Sequence, residues 1–233
     1  MITEAISKNA ELAKKNSREH RFYSDKLVYL KDQLPFEFDL KYVLETIEDL
    51  IPPHLVENVD VVYVGKFKAL SHDGLPFNAK YKDGAIYVTN DQENENDMLD
   101  DIVHEIAHAV EERYNDQIYA DMELENEFVG KRQRLYHDLE QEGYEPSKAQ
   151  LDNVSYDKSF DYYLYNIVGY PTLTSLTSGL FYSPYAITSL NEYFANGFEN
   201  YFLRDRDYLK KLSPILYNKI SELAEDYLGE IKQ

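Results

Sequence analysis

The chain has 233 residues, no cysteine, and 43 acidic against 24 basic side chains, a formal charge of −19. The missing cysteine excludes a disulfide scaffold, a thiolate zinc site, an iron–sulfur cluster and a cysteine nucleophile. It leaves imidazole and carboxylate as donors for any transition metal. The charge repels phosphate backbones and anionic lipid, so neither nucleic acid nor a membrane surface is an expected partner.

The length fits one domain or two joined lobes. With 43% hydrophobic and 29% charged residues, the chain is globular in composition. No apolar run approaches the roughly 20 residues that cross a bilayer. Met1 to His20 lacks the apolar centre of a secretion signal, so a cytoplasmic location is expected.

In chain order, residues 3–34 read as one or two polar helices, broken near Arg21–Ser24 and stopped by Pro35. Their weak apolar stripe makes about 1–35 a peripheral segment. Asp39 is a good N-cap for a helix with Leu40, Val43, Leu44, Ile47, Leu50 and Ile51 at helical spacing; Pro52-Pro53 ends it. Val59–Val64 predicts a buried strand. Phe77–Tyr81 and Ala85–Thr89 flank Lys82-Asp83-Gly84, and the Asp-Gly step predicts a hairpin. Ala85–Thr89 is also the expected sheet edge. Asp91–Asp97 carries four acids and no base; it reads as a solvated loop whose charge favours the N-terminus of the next helix. From about 97 onward the chain is mainly helical. Ala120–Glu142 is a charged amphipathic segment closed by Gly143. Residues 152–185 look irregular, Ile187–Leu203 is a clear helix, and Asp207–Ile231 is a last one with a break at Pro214.

His104-Glu105-Ile106-Ala107-His108 is a His-Glu-x-x-His motif. On a helix, residues four apart share a face, so two imidazoles can point at one ion. The Glu between them can reach a water held there. Leu99, Ile102, Val103, Ile106 and Val110 fall on one compact stripe of the same helical wheel. His104 and His108 fall nearly opposite, so the helix is pinned on one side and offers its histidines on the other.

Catalytic zinc usually takes three protein ligands and one water. The metzincin pattern needs Gly three and His six residues after the second His; this chain has Glu111 and Tyr114. His137, the only later histidine, sits in a charged helix with no companion pattern. The better candidate is Glu192 in Asn191-Glu192-Tyr193-Phe194-Ala195-Asn196. Leu190, Phe194, Phe198 and Tyr201 lie opposite it, and small Ala195 beside it leaves room for another helix. Asn196 or Glu199, one and two turns on, can hold a ligand imidazole through its other nitrogen.

His104–His108 together with Glu192 resembles the gluzincin zinc peptidases. The Asn-Glu-Tyr-Phe-Ala segment is similar to the third-ligand helix of the anthrax lethal factor peptidase domain and its relatives, the clostridial Pro-Pro endopeptidases. The match covers roughly 85–115 and 182–203. The resemblance implies that His104, His108 and Glu192 bind Zn2+, that Glu105 is the general base, and that Tyr185, seven residues before Glu192, stabilises the tetrahedral intermediate. Tyr182 is the alternative donor. Eighty-four positions separate His108 from Glu192, more than in those relatives, so residues 115–180 read as an enlarged insertion serving as a lid or specificity wall. Asn196 stands where lethal factor has an acid.

The expected fold is a single α+β, zincin-like domain over 1–233. A small mixed sheet and the active-site helix occupy about 36–114, and a mainly helical lobe over 181–233 supplies Glu192 and Tyr185. The expected function is a zinc-dependent endopeptidase acting on a protein or peptide substrate. A di-iron bundle fails because no second Glu-x-x-His exists. A non-catalytic binding or structural protein that retains a zinc site is the alternative, and hydrolysis of another amide is chemically open.

Overall fold

Short β-branched and aromatic runs build a five-stranded sheet, and Val61–Val64 at its centre alternates half-buried and buried residues. The structure, a computed structural model, describes residues 18–72 and 75–230. Strands β1 (Glu19–Phe22), β2 (Lys26–Leu30), β3 (Val61–Val64), β4 (Ala79–Lys82) and β5 (Ala85–Val88) form one sheet in the order β1-β2-β3-β5-β4. The two outer pairs are antiparallel and the two inner pairs parallel. Val28, Val62 and Ile86 stand in register across the three central strands and are fully buried. The next row, Tyr29, Tyr63 and Tyr87, faces the other way and is half-buried. The Tyr63 and Tyr87 rings stack at 5.3 Å.

The predicted Asp-Gly hairpin is present. Lys82 pairs with Ala85, and Asp83 and Gly84 have φ of +49° and +80°, the positive pair that a two-residue hairpin turn demands. A Cβ at Gly84 would also lie 2.6 Å from Asp60 Oδ2. Three expectations are corrected by the sheet. Residues 19–30 are not helical: they are the β1–β2 hairpin, turning through Tyr23 and Ser24 at positive φ. That segment is not peripheral, because β2 lies inside the sheet with Val28 fully buried. The part of the helical expectation on residues 3–17 lies outside the described residues. In addition, β5 is not the edge. It is flanked on both sides, and β4 is the edge strand.

Helix α1 (Leu40–Leu50) begins as expected, with Asp39 Oδ1 accepting the Tyr42 N–H at 3.2 Å. Helix α2 (Glu95–Tyr119) carries Glu95 and Asp97 in its first turn, where acids suit the helix dipole. Then follow α3 (Glu123–Gln141), α4 (Lys148–Asp152), α5 (Lys158–Tyr162), a π-helical stretch Tyr163–Gly169, α6 (Tyr170–Thr177), a 3-10 turn Pro184–Ile187, α7 (Leu190–Leu203), α8 (Arg206–Leu212) and α9 (Pro214–Glu230). The break at Pro214 falls between α8 and α9 as expected.

Residues 152–185 are therefore largely helical, which corrects the irregular segment read from the sequence. Their Tyr, Thr and Ser content is poor for isolated helices. Burial of Phe160, Leu164, Val168, Leu173 and Thr177 on one side overrides that local preference.

The chain divides into two compact units. Of the described residues, one unit holds those up to Asp49 with Glu57–Glu105, including the whole five-stranded sheet. The other holds Leu50–Val56 and those from Ile106 onward, and it is helical. The division falls inside α2. No helix among the described residues is long and apolar enough to cross a membrane.

In the helical unit α3 turns charge inward. Glu127 accepts the Ile215 and Leu216 N–H groups at 2.9 and 3.1 Å, capping the start of α9, and accepts the Tyr193 hydroxyl at 2.9 Å. Lys131 donates to the Leu180 and Leu212 carbonyls and to Ser213 Oγ at 2.6, 2.7 and 3.0 Å. Burial pushes its ammonium down to about 8, so it stays protonated at neutral pH and fills all three acceptors.

Candidate metal centre

Helix α2 fixes two imidazoles by its own pitch. Ile102, Val103, Ile106 and Val110 are fully buried, while His104 and His108, four residues apart, are half-buried. Glu105, between them, is only 8% exposed. Its Oε2 accepts the backbone N–H of Tyr81 on edge strand β4.

Helix α7 supplies the carboxylate. Ser189 caps it by accepting the Glu192 N–H at 3.1 Å, which sets Glu192 in the first turn. One nitrogen from each histidine and one Glu192 oxygen lie within 4.8 Å of one another. Among the described residues this is the one group of three or more such side chains so placed. His108 Nε2 stands 3.9 Å from Glu192 Oε1.

The other nitrogen of His108 is taken. Glu111 Oε2 lies 2.7 Å from His108 Nδ1. Glu111 is 4% exposed, and its Oε1 accepts both the Tyr119 hydroxyl and, at 2.9 Å, the Asn191 amide. A carboxylate on Nδ1 holds the proton there and leaves the Nε2 lone pair for a metal. Sequence reasoning missed this role for Glu111, although its place three residues after His108 was the available signal.

Asn196, expected to hold a ligand imidazole, is buried, and its backbone carbonyl accepts the Asn200 side chain at 2.6 Å. Glu199 is half-buried on the same helix. Tyr185 sits on the 3-10 turn that leads into α7, with its side chain 45% exposed. Tyr182 packs edge-on against Tyr208, with ring centroids 5.3 Å apart. His137 is exposed and lies 3.6 Å from Glu140.

Charge around the donors is dense. One turn before His104, burial pushes the Asp101 carboxyl up to about 6, against the opposing pull of a 2.9 Å bond from Gln92. Beyond α4, the Val154 carbonyl accepts the Leu190 N–H at 2.8 Å, tying Val154 to the start of α7. Burial, then the charges of Asp161 and Glu192 among others, raises the Tyr156 phenol to about 12.

The donor set is compatible with a metal ion. Bonds of about 2.1 Å in a tetrahedron hold donor atoms about 3.4 Å apart, a small contraction from the 3.9 Å between His108 and Glu192. The set therefore offers two imidazole nitrogens and one carboxylate oxygen. In comparisons with known proteins, no family model, curated protein or solved structure matches this chain.

Proposed function

We propose that the chain is a zinc-dependent endopeptidase of the gluzincin type, with a zincin-like fold similar to that of the lethal factor and Pro-Pro endopeptidase relatives. The observation that carries the reading is the convergence of His104, His108 and Glu192 donor atoms within 4.8 Å, on two helices far apart in sequence, with Glu105 inside the first half-site. The Glu111 bond to His108 Nδ1 adds the orientation that a ligand imidazole needs.

When bound, zinc supplies Lewis acidity that brings the pKa of water to about 7 and polarises a carbonyl. Glu105 takes the proton of the attacking water and passes it to the leaving amine. One of its oxygens is held by the Tyr81 amide, which orients the carboxylate. The Tyr185 hydroxyl donates to the substrate oxygen as negative charge develops there, an interaction strongest in the transition state. Tyr182 is the weaker candidate for this role, because its ring is turned against Tyr208.

Edge strand β4 is the natural rail for an extended substrate. Lys82 and Ala85 close the two-residue turn as a hydrogen-bonded pair, so Tyr81, opposite Ile86, is a non-bonded pair. On that open side the Tyr81 amide is taken by Glu105 Oε2, while the Ala79 amide, opposite Val88 at the next non-bonded pair, points where a peptide adds as a strand.

One observation favours the alternative, a non-catalytic protein with a retained metal site: Glu105 is buried and engaged by the Tyr81 amide. Metal analysis with a peptide-library digest, wild type against Glu105→Gln, separates the two. The peptidase reading expects one zinc in both proteins and a loss of cleavage of about 10²–10⁴-fold in the variant. Unchanged cleavage, or a wild type that binds zinc and cuts no peptide, overturns it.

A further inference from the structure

Arg132 stands in the middle of α3, inside the helical unit, and is 0% exposed. Every acceptor it uses is a backbone carbonyl. Nε donates to Ile187 at 2.8 Å, and Nη2 donates to Ile187 and, at 3.0 Å, to Thr188. Nη1 reaches Asn153 at 2.5 Å, Leu151 at 3.3 Å and Gln150 at 3.4 Å. The guanidinium carbon lies 4.5 Å from the Phe128 ring centre and 4.9 Å from that of Phe160. Burial pushes its pKa down to about 10, so the side chain is charged at neutral pH.

A full charge in a core, with no carboxylate partner among the described residues, is expensive. An apolar side chain of similar volume would fill this space at lower cost, so packing does not account for an arginine. What the planar fork adds is a fixed geometry between two stretches of backbone. Both stretches lead to the same place. Thr188 is followed by Ser189, whose hydroxyl caps α7 at the Glu192 N–H. Asn153 is followed by Val154, whose carbonyl takes the Leu190 N–H.

We propose that Arg132 is a positioning residue for the third metal ligand: by locking residues 150–153 and 187–188 to α3, it sets where the first turn of α7 begins and so where the Glu192 carboxylate stands. This rests on the metal-site reading above. Arg132 touches neither the donor atoms nor a substrate; it acts through Thr188, Ser189 and Val154. The sequence carried a quiet signal for it. Arg132 falls in the apolar stripe of α3 with Leu124, Phe128, Leu135 and Leu139, all fully buried.

The test uses the whole chain loaded with Co2+, whose visible bands report coordination geometry. Chelator competition gives the affinity of the wild type, Arg132→Lys, Glu192→Ala and Leu139→Ala. Lysine keeps the charge and loses the fork. Leu139→Ala places a cavity in the same helix and controls for general destabilisation. Arg132→Lys is expected to weaken cobalt binding at least tenfold and to move the bands toward those of Glu192→Ala, with native circular dichroism. Leu139→Ala keeps the wild-type spectrum despite a lower thermal midpoint. In the Glu192→Ala background, adding Arg132→Lys changes affinity little further.

A wild type that takes up no cobalt, or a Glu192→Ala protein that binds as the wild type does, brings down the metal-site reading itself. If Glu192→Ala weakens binding while a folded Arg132→Lys matches the wild type in spectrum and affinity, the positioning role alone is wrong. If Arg132→Lys does not fold, Ser189→Ala takes its place in the test. It leaves the core intact and frees the same turn. A weakened cobalt affinity there supports the proposal, and an unchanged one overturns it.

Discussion

Glu111 and Asn191, 80 positions apart in the chain, are joined by a 2.9 Å hydrogen bond from the asparagine amide. Asn191 directly precedes Glu192, and Glu111 lies one turn beyond His108. One buried carboxylate therefore steadies His108 and the residue beside Glu192. Glu111→Gln keeps the size but turns one acceptor oxygen into an NH2 group and removes the charge behind Nδ1. Zinc affinity is expected to fall about 10–100-fold. Competition with a chromophoric chelator measures it, and equal affinity would reduce Glu111 to a packing role.

The second prediction concerns pH. The Tyr119 hydroxyl donates to Glu111. Burial, followed by the Glu111 charge and hydrogen bond, pushes that phenol well above its usual value of 10. A folded-state pKa raised above the unfolded one gives stability that is complete below pH 10 and is lost as pH rises beyond it, because the unfolded phenol releases a proton that the folded chain keeps. Tyr119→Phe should cost about 1 kcal/mol at pH 7, and the gap to wild type should narrow between pH 9 and 11. Urea unfolding at stepped pH reads the gap directly; a widening gap contradicts the assignment.

Gly197 in α7 meets Leu216 at the start of α9 so closely that a Cβ would lie 2.3 Å from Leu216 Cδ2. Gly197→Ala is expected to destabilise by about 1–3 kcal/mol through overpacking. Leu216→Ala alone leaves a cavity and costs about 2–5 kcal/mol. Together they should cost less than their sum, since each relieves the other. Chemical denaturation of the four proteins checks this, and strict additivity would mean that the two residues do not press on each other.

Metal should be visible in the melting curve. A ligand at 100-fold excess over its dissociation constant stabilises by about 2.7 kcal/mol, which for a chain of this size is about 5–10 °C in thermal midpoint. Chelation should lower the wild-type midpoint by that amount and leave His108→Ala unmoved. Scanning calorimetry with and without chelator distinguishes this from a chain indifferent to zinc.

Much of this was legible in local chemistry. Asp39 capping α1, the Asp83-Gly84 hairpin and the apolar stripe of α2 each depend on residues close in sequence, and each is present. Glu192 stands on the expected helix with its aromatic back, and its carboxylate lies near the two imidazoles. What local chemistry hid depends on distant partners. The β1–β2 hairpin looks polar because only Phe22 and Val28 are fully buried in it. The run from 158 to 177 has poor helix formers, although Phe160, Leu164 and Val168 recur every four residues. The edge strand was misplaced because strand order is set by pairing, and β5 is enclosed by β3 and β4. Glu111 and Arg132 owe their roles to the amide, imidazole and main-chain carbonyls they bond, which only the folded chain brings to them.

The fork of Arg132 grips only main-chain oxygens, and these do not titrate. An ion pair loosens when its acid is protonated or when salt screens it; this clasp does neither across the range in which its guanidinium stays charged. Acidification therefore leaves this clasp, which holds the backbone just before the turn bearing Glu192, in place.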